Sequence, residues 1–420
     1  MQLPFLSLAI LVFVILISVS QRVNIGLLSL VMAWFLGYFY AGMPVNEIMA
    51  GFPLSLFMVL VAISYFFGIA NINGTLDFVT NKMILLAKGQ RKFLPVIFFI
   101  LAGILSTLGA GNIGAVALLA PAAMAIADKT KLGAFFMTIM IILGANAGTF
   151  SPFALTGIIA KGLIVQQGLS MNPWTQIYFP VLLTQTFIAI VSFSIFYLIY
   201  KKKNSFVQPS SGDGTIGVLS HVMTHKQMLT LLAITILIVG TIFFKVDVGF
   251  LALSLAVLLT VFGVADSEQA LKKIPWDVVL MVCGVSTLVT IVEKVGGLDI
   301  LITGLAKITN PINVTAIMAF IVGVISSFSS SSAVVMPTFI PLVPGLVKQM
   351  GGGDPVAIIS AINVGSHVVD VSPLSTLGAL CMASAAKSED KTKLFQRLML
   401  FGLSMSLVGA IVSYIFFGLL

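Results

Sequence analysis

Charge is what this sequence has least of. Lys, Arg, Asp and Glu together make up 9% of its 420 residues, while 59% are hydrophobic. A soluble domain of that length needs a charged coat, which this chain cannot supply. Cysteine is nearly absent. Cys283 and Cys381 both stand in apolar surroundings and read as inert buried thiols, silent on redox compartment. Histidine is scarce too, and only His367 falls inside an apolar break. With no His-Glu-x-x-His motif and no nucleophile beside a base, an intramembrane enzyme has no chemistry to use. The short alternating segments of a transmembrane barrel are missing as well.

What is present is a succession of apolar runs long enough to cross a hydrocarbon core of about 30 Å. Examples are Leu3–Ile17, Gly26–Ala41, Leu54–Ala70, Val181–Tyr200, Met228–Phe244 and Leu398–Leu420. The pattern is that of an all-α polytopic membrane protein. No basic stretch precedes the first run and no small-residue cleavage site clearly follows it, so 3–19 is expected to be a retained helix rather than a signal peptide.

The chain is duplicated. Ser-Thr-Leu-Gly-Ala-Gly-Asn-Ile-Gly-Ala-Val-Ala-Leu-Leu-Ala-Pro at 106–121 falls on Ser-Ser-Phe-Ser-Ser-Ser-Ser-Ala-Val-Val-Met-Pro-Thr-Phe-Ile-Pro at 326–341 without a gap. Gly103 falls on Gly323 in the same register. Gly144 then matches Gly365, Ser151-Pro152 matches Ser372-Pro373, and Gly157 matches Gly378. Val23-Asn-Ile-Gly26 matches Val246-Asp-Val-Gly249, and Leu76-Asp77 matches Leu298-Asp299. Ordered matches of this kind mark a repeat architecture.

Each half reads as three spans, an amphipathic arm, a hairpin, an interrupted span and a closing span. The first repeat is expected over 1–200, with its hairpin at 93–127 and its broken helix at 133–165. The second is expected over 227–420, with its hairpin at 312–347 and its broken helix at 354–386. The hydrophilic, Ser- and Gly-rich stretch 201–226 is the linker, expected to be cytoplasmic. Five complete crossings plus a re-entrant hairpin is an odd number, so the second half must be inverted relative to the first.

Charge tests this layout. Of the 22 Lys and Arg residues, the topology puts Lys161, Lys245, Lys294, Lys307 and Lys348 on one side and all the others on the opposite side. By the positive-inside rule the crowded side is cytoplasmic, and both termini face outward. The net charge of +8 is thus an orientation signal and not a nucleic-acid patch.

Irregular backbone at membrane depth is tolerated only where it lines a cavity or is buried in protein. Four such places occur, paired by the repeat. Hairpin tips fall at Gly109–Gly114 and Ser329–Ser332, and breaks at Gly144–Pro152 and Gly365–Pro373. A helix that starts at mid-membrane aims free N–H groups and a positive dipole end at the centre, which suits an anion. A helix that ends there presents carbonyl oxygens, which suit a small cation. Ser151-Pro152 and Ser372-Pro373 read as helix starts, with serine as N-cap and proline at the first helical position. Asp370 is the only acid well inside a break, and an intramembrane carboxylate is functional by default. His367 is open to a structural, proton-binding or substrate role. Asp77 and Asp299 are expected to serve as helix caps, and Lys161 to snorkel to the outer surface. No Lys or Arg falls at mid-depth on these elements, which favours a carrier in which co-bound cations meet an anion's charge.

At these tips and breaks the sequence resembles the ion transporter superfamily with its divalent anion:sodium symporters, and more closely the dicarboxylate (malonate) carrier branch called MatC. The stretches that carry the resemblance are 45–53, 111–121, 144–157 and 369–378. It implies a secondary carrier of small dicarboxylates such as malonate, succinate or malate, coupled to sodium, in a bacterial inner membrane. It also implies a homodimer in which a fixed scaffold carries an inner transport domain that slides as an elevator. The first implied sodium site uses Gly109, Asn112, Gly144, Asn146 and Gly148. The second uses Ser329, Ser331, Gly365, Ser366 and Asp370. Substrate carboxylates would meet Gly111, Asn112, Thr149, Ser151, Ser330, Ser331, Ser332 and Ser372. The symporters' Ser-Asn-Thr signature is replaced here by Gly-Asn-Ile at one tip and by serines alone at the other. No further cofactor is implied. Proton coupling through His367 or Asp370, and another anion permease or a sodium/proton antiporter of the same superfamily, remain the alternatives.

Overall fold

A computed structural model describes residues 2–18, 23–86, 93–130, 132–202, 223–386 and 388–419. Most of the linker, at 203–222, lies outside these residues, as do Arg22, Lys88, Arg91, Lys92, Lys131, Lys203 and Lys387, which entered the charge count.

The described residues of the first half form ten α-helices: α1 (Gln2–Ser18), α2 (Ile25–Trp34), α3 (Val45–Met49), α4 (Leu54–Ile72), α5 (Thr75–Leu86), α6 (Leu94–Leu105), α7 (Gly111–Thr130), α8 (Ala134–Gly148), α9 (Leu155–Gln166) and α10 (Phe179–Lys202). The second half follows with α11 (His225–Ile242), α12 (Val248–Val261), α13 (Ser267–Lys272), α14 (Trp276–Lys294), α15 (Gly297–Ile308), α16 (Val314–Ser326), α17 (Met336–Phe339), α18 (Val343–Met350), α19 (Pro355–Val368), α20 (Thr376–Ser384) and α21 (Lys391–Ser413). Among the described residues, 7 helical stretches are long and apolar enough to cross a membrane, and several shorter apolar helices accompany them. The chain is a multi-pass membrane protein.

Local sequence explains where the helices begin. Asn24 accepts from the backbone N–H of Gly26 and Leu27 to cap α2, and Asp247 accepts from Phe250 to cap α12. These two caps occupy matched positions in the two halves. Thr224 and Gln227 form a capping box on α11, and Asp354 followed by Pro355 opens α19. Asp77 and Asp299 sit in the first turns of α5 and α15, where a carboxylate favours the positive end of the helix dipole.

Packing recurs between the halves. α4 lies along α12 and α14 lies along α2, so each pair joins the third span of one half to the second span of the other. α6 packs on α8 as α16 packs on α19. Small residues set these distances, since a glycine lets two backbones meet. A Cβ on Gly144 would stand 2.2 Å from the carbonyl oxygen of Phe99, and one on Gly365 would stand 2.5 Å from that of Ala319. Phe99 and Ala319 occupy matched positions in the duplicated sequence. A Cβ on Gly26 would stand 1.9 Å from the Leu280 carbonyl oxygen, so α2 and α14 touch backbone to backbone.

Candidate functional site

Four helix interruptions converge on one place. The 35-residue apolar stretch Leu94–Asp128 is kinked at Gly109, whose φ of 111° is open to glycine but strained for any other residue. In the second half α16 ends at Ser326, and Ser330 caps the next turn by accepting from the Ala333 N–H. The breaks lie between α8 and α9 and between α19 and α20.

The helix starts differ from those expected at the Ser-Pro pairs. α9 begins at Leu155 and α20 at Thr376, three residues after each proline. Each serine closes a local turn instead: Ser151 Oγ accepts from the Phe153 N–H and Ser372 Oγ accepts from that of Leu374. Ser375, not Ser372, caps α20 by accepting from the Gly378 N–H.

Asn146 is the centre of the arrangement. Its Oδ1 accepts from Asn112 Nδ2 of the first tip at 2.8 Å. Its Nδ2 donates to the His367 carbonyl at 2.7 Å and to Asp370 Oδ2 at 3.1 Å. The other carboxylate oxygen of Asp370 accepts from Ser331 Oγ at 2.8 Å, and that hydroxyl also lies 2.9 Å from the Ser366 carbonyl and 2.6 Å from Ser326 Oγ. One tip and one break from each half therefore meet in a single buried network. Such a network is costly to disturb, because each member lost strands another.

A second chain of hydrogen bonds runs beside it. Thr149 Oγ1 donates to Thr156 Oγ1 at 3.1 Å. Thr156 lies 3.2 Å from Ser332 Oγ, and Ser332 lies 3.2 Å from His367 Nε2. His367 Nδ1 faces the Asn363 carbonyl at 3.0 Å, and a carbonyl can only accept. The proton of a neutral ring therefore sits on Nδ1, and Nε2 accepts from Ser332. Every hydroxyl from Thr149 onward then donates in the same direction. Ser366 Oγ stands 2.9 Å from Nδ1, and the Phe150 ring meets the imidazole edge-on at 4.8 Å.

Both networks border a cavity of about 460 Å³. Its polar lining includes Asn112, Thr156, Ser329 to Ser332, Asp370, Ser375 and Thr376, with Asn24 and Asp277 at α2 and α14. No Lys or Arg lines it among the described residues. Asn24 Nδ2 donates to the Asp277 backbone carbonyl at 3.3 Å. A second depression, of about 1160 Å³, is lined by Ser55, Asp247, Lys161 and Lys245 among others, Asp247 standing at the position matched to Asn24. It reaches Pro152 and Gly157 without touching either tip.

The cavity thus gathers Asn112, Ser329, Ser330, Ser331, Ser332 and Asp370 from the residues singled out in the sequence. Others stand elsewhere. Ser151 Oγ donates to the Thr107 carbonyl at 2.6 Å, and Ser372 packs against Gly402 of α21. Gly144 and Gly365 hold the helix contacts described above, and a Cβ on Gly148 would stand 2.2 Å from the Gly103 carbonyl oxygen. Gly109 abuts the Phe67 ring, while open space surrounds Gly111. Thr149 and His367 reach the cavity only through Thr156 and Ser332. Thr156, Ser375, Asn24 and Asp277 were missed. Thr156 stands four residues after Pro152 and Thr376 three after Pro373, in the first turns of α9 and α20, positions the duplicated motif could have flagged.

Oxygen donors gather at Asp370: its own carboxylate, the Ser331 hydroxyl and, beside that hydroxyl, the Ser366 carbonyl. Hard oxygen donors suit a small hard cation, and a buried carboxylate with no basic neighbour calls for positive charge. These residues fit a sodium ion. The matched position in the first half is Thr149, so the corresponding pocket there lacks a formal charge.

Residues 1–149 match a family described as Dicarboxylate carrier protein MatC N-terminus. None of the curated proteins matches the sequence. Among solved structures, the chain resembles the YdaH transporter of Alcanivorax borkumensis, with a TM-score of 0.61 at 16% identity over 91% of this chain and 89% of that one. It also resembles MtrF of Neisseria gonorrhoeae, described as one of a class of antimetabolite efflux pumps, with a TM-score of 0.59 at 16% identity over 88% of this chain and 82% of that one. At this identity the two likenesses establish the fold.

Proposed function

We propose that the protein is a secondary active carrier of small dicarboxylate anions of the malonate, succinate and malate type, driven by sodium symport. The observation that carries this reading is the hydrogen-bonded junction of Asn112, Asn146, Ser331 and Asp370. It ties a tip and a break from each half around a hydroxyl-lined cavity at the centre of the chain. The family match of the first 149 residues and the fold shared with two transporters support a membrane carrier. The match also favours dicarboxylates over other anions.

In this reading the two halves are inverted repeats, each with five crossings and one re-entrant hairpin, and both termini face outward from a bacterial inner membrane. Two copies associate through the outer spans, and the hairpins and broken helices move as an elevator. The recurring glycine contacts of the two halves are what duplication would leave behind. Asn24 and Asp277 line the cavity, and Asp277 follows Lys272 and Lys273 closely in sequence, which in this reading supports a cavity facing the cytoplasm.

The cavity hydroxyls and the Asn112 amide would hold the substrate carboxylates by direct hydrogen bonds. Asp370, Ser331 and the Ser366 carbonyl would hold one sodium ion, and Asn112 with Asn146 and the backbone near Gly109, Gly144 and Gly148 a second. Bound sodium supplies the positive charge that a dianion needs in a cavity lined by no described lysine or arginine. A proton-coupled carrier is the second reading, favoured by one observation: Nε2 of His367 faces the cavity through Ser332.

Purified protein in liposomes tests the proposal. Labelled malonate or succinate should accumulate when sodium is high outside, and should not when potassium replaces it. Uptake that follows a pH difference with no response to sodium would favour the second reading. No uptake under any gradient would remove both.

A further inference from the structure

Hydroxyls are only part of the cavity wall. Ten of its 21 lining residues are apolar. Its volume of about 460 Å³ lies among pockets that hold drug-sized ligands, roughly 300–1,000 Å³. Malonate or succinate alone would leave much of that space to water.

Polar and apolar groups alternate around the cavity in a set way. Each of the four interruptions contributes a polar residue with a large apolar neighbour beside it in sequence. Asn112 stands with Ile113 at the first tip, and Thr156 with Leu155 after the first break. Ser329 stands with Phe328 at the second tip, and Ser375 with Leu374 in the second break. α14 adds Val278 and Met281. A carboxylate held by the polar member of a pair therefore brings the rest of its molecule to the apolar member.

Three of these apolar side chains are uncovered: Ile113 is 41% exposed, Phe328 41% and Leu374 44%. The duplication shows that the fold does not demand this. The positions matched to Ile113 and Leu374 are Ala333, which is fully buried, and Phe153, which is buried and meets the Trp174 ring edge-on at 5.8 Å. Apolar surface left against water is unfavourable, and a ligand that covers it gains affinity.

We propose that the cargo of this cavity is a dicarboxylate bearing an apolar branch. Its carboxylates take polar members of the pairs, and its branch lies against Phe328, Leu374 and Ile113 with Met281 of α14. The flexible, polarisable methionine side chain lets that wall fit branches of more than one shape. The inference rests on the carrier reading above and narrows its substrate class to alkyl-substituted diacids. Side chains that merely close the cavity during a transport cycle would gain nothing from a branch, which separates the two roles.

Counterflow in liposomes holding the protein, with equal sodium on both sides, is the test. Labelled malonate enters against an unlabelled diacid preloaded inside only if the preloaded diacid is itself carried. Preloaded methylmalonate and ethylmalonate should drive that uptake as malonate does. Added outside, they should compete with labelled malonate about fourfold more tightly for each added carbon, the gain from one buried methylene. Phe328→Ala and Leu374→Ala should each bring the ethylmalonate-to-malonate ratio toward one. The ratio is read within each variant, so a general loss of activity does not mimic the effect, and Met281→Ala replaces a variant that does not fold. Three results would overturn the inference and leave a carrier of plain diacids: equal or weaker competition along the series in the wild type, a branched diacid that competes without driving uptake, or a ratio unchanged in the variants. Uptake of neither labelled malonate nor labelled ethylmalonate under any preload would remove the carrier reading and this inference with it.

Discussion

Asn146 of the first half donates to the Asp370 carboxylate of the second, Nδ2 to Oδ2 at 3.1 Å, across 224 positions of sequence. The same amide donates to the His367 carbonyl and accepts from Asn112. One side chain thus touches three of the four interruptions, and its removal is the sharpest way to disturb the centre.

Asn146→Leu leaves Asn112 Nδ2, the His367 carbonyl and Asp370 Oδ2 each short of a partner. At about 1–3 kcal/mol for each stranded group, the loss should lower the unfolding temperature and end uptake. Asp370→Asn keeps the shape and, with its oxygen toward Asn146, one acceptor, while its N–H can donate to Ser331 Oγ; the charge is removed. It should fold normally and lose the dependence of uptake on sodium, read by uptake at graded sodium.

The cavity lining separates serines that face cargo from serines that hold backbone. Thr156→Val and Ser332→Ala should raise the KM for dicarboxylate about tenfold, the effect of one lost hydrogen bond to a charged group. Ser151→Ala and Ser372→Ala should leave KM nearly unchanged and show their cost in thermal stability.

Gly109 and Gly111 both have positive φ, at 111° and 66°, but only the first meets a neighbour, with the Phe67 ring 2.0 Å from a built Cβ. Backbone strain of this kind costs about 1–3 kcal/mol. Gly109→Ala should therefore destabilise the purified protein more than Gly111→Ala, and Phe67→Ala should recover only the part due to collision.

Sidedness follows from charge. An impermeant thiol reagent on whole cells should label Lys161→Cys, which is exposed, and should label Lys272→Cys only after lysis. The reverse pattern would invert the orientation.

Much of this was legible in the sequence because glycine, proline and hydroxyl residues stand out inside apolar runs. The interruptions at Gly109, Ser330, Gly148 and Val368 could be located that way, and the repeat paired them. What composition could not reveal was which hydroxyl points where. Ser151 and Ser372 looked like helix caps because Ser-Pro opens many helices, yet each folds a turn first and hands the start to Leu155 and Thr376. Thr156 hid in an unremarkable apolar stretch, and its role depends on Ser332, which is 176 positions away. Asn24 and Asp277 lie outside every break and reach the cavity only because α2 crosses α14 at a backbone contact. Gly144 and Gly365, which the resemblance implies as sodium-site residues, also hold the backbone contacts to Phe99 and Ala319, a role that only the three-dimensional packing reveals.

Binding measured on the purified protein tests the central claim most directly. Succinate and malonate should raise the unfolding temperature in sodium and fail to do so in potassium, and Asp370→Asn should erase the difference between the two salts. Equal stabilisation in both salts, or none by any small dicarboxylate, would contradict a shared anion and cation site at the junction of the two halves.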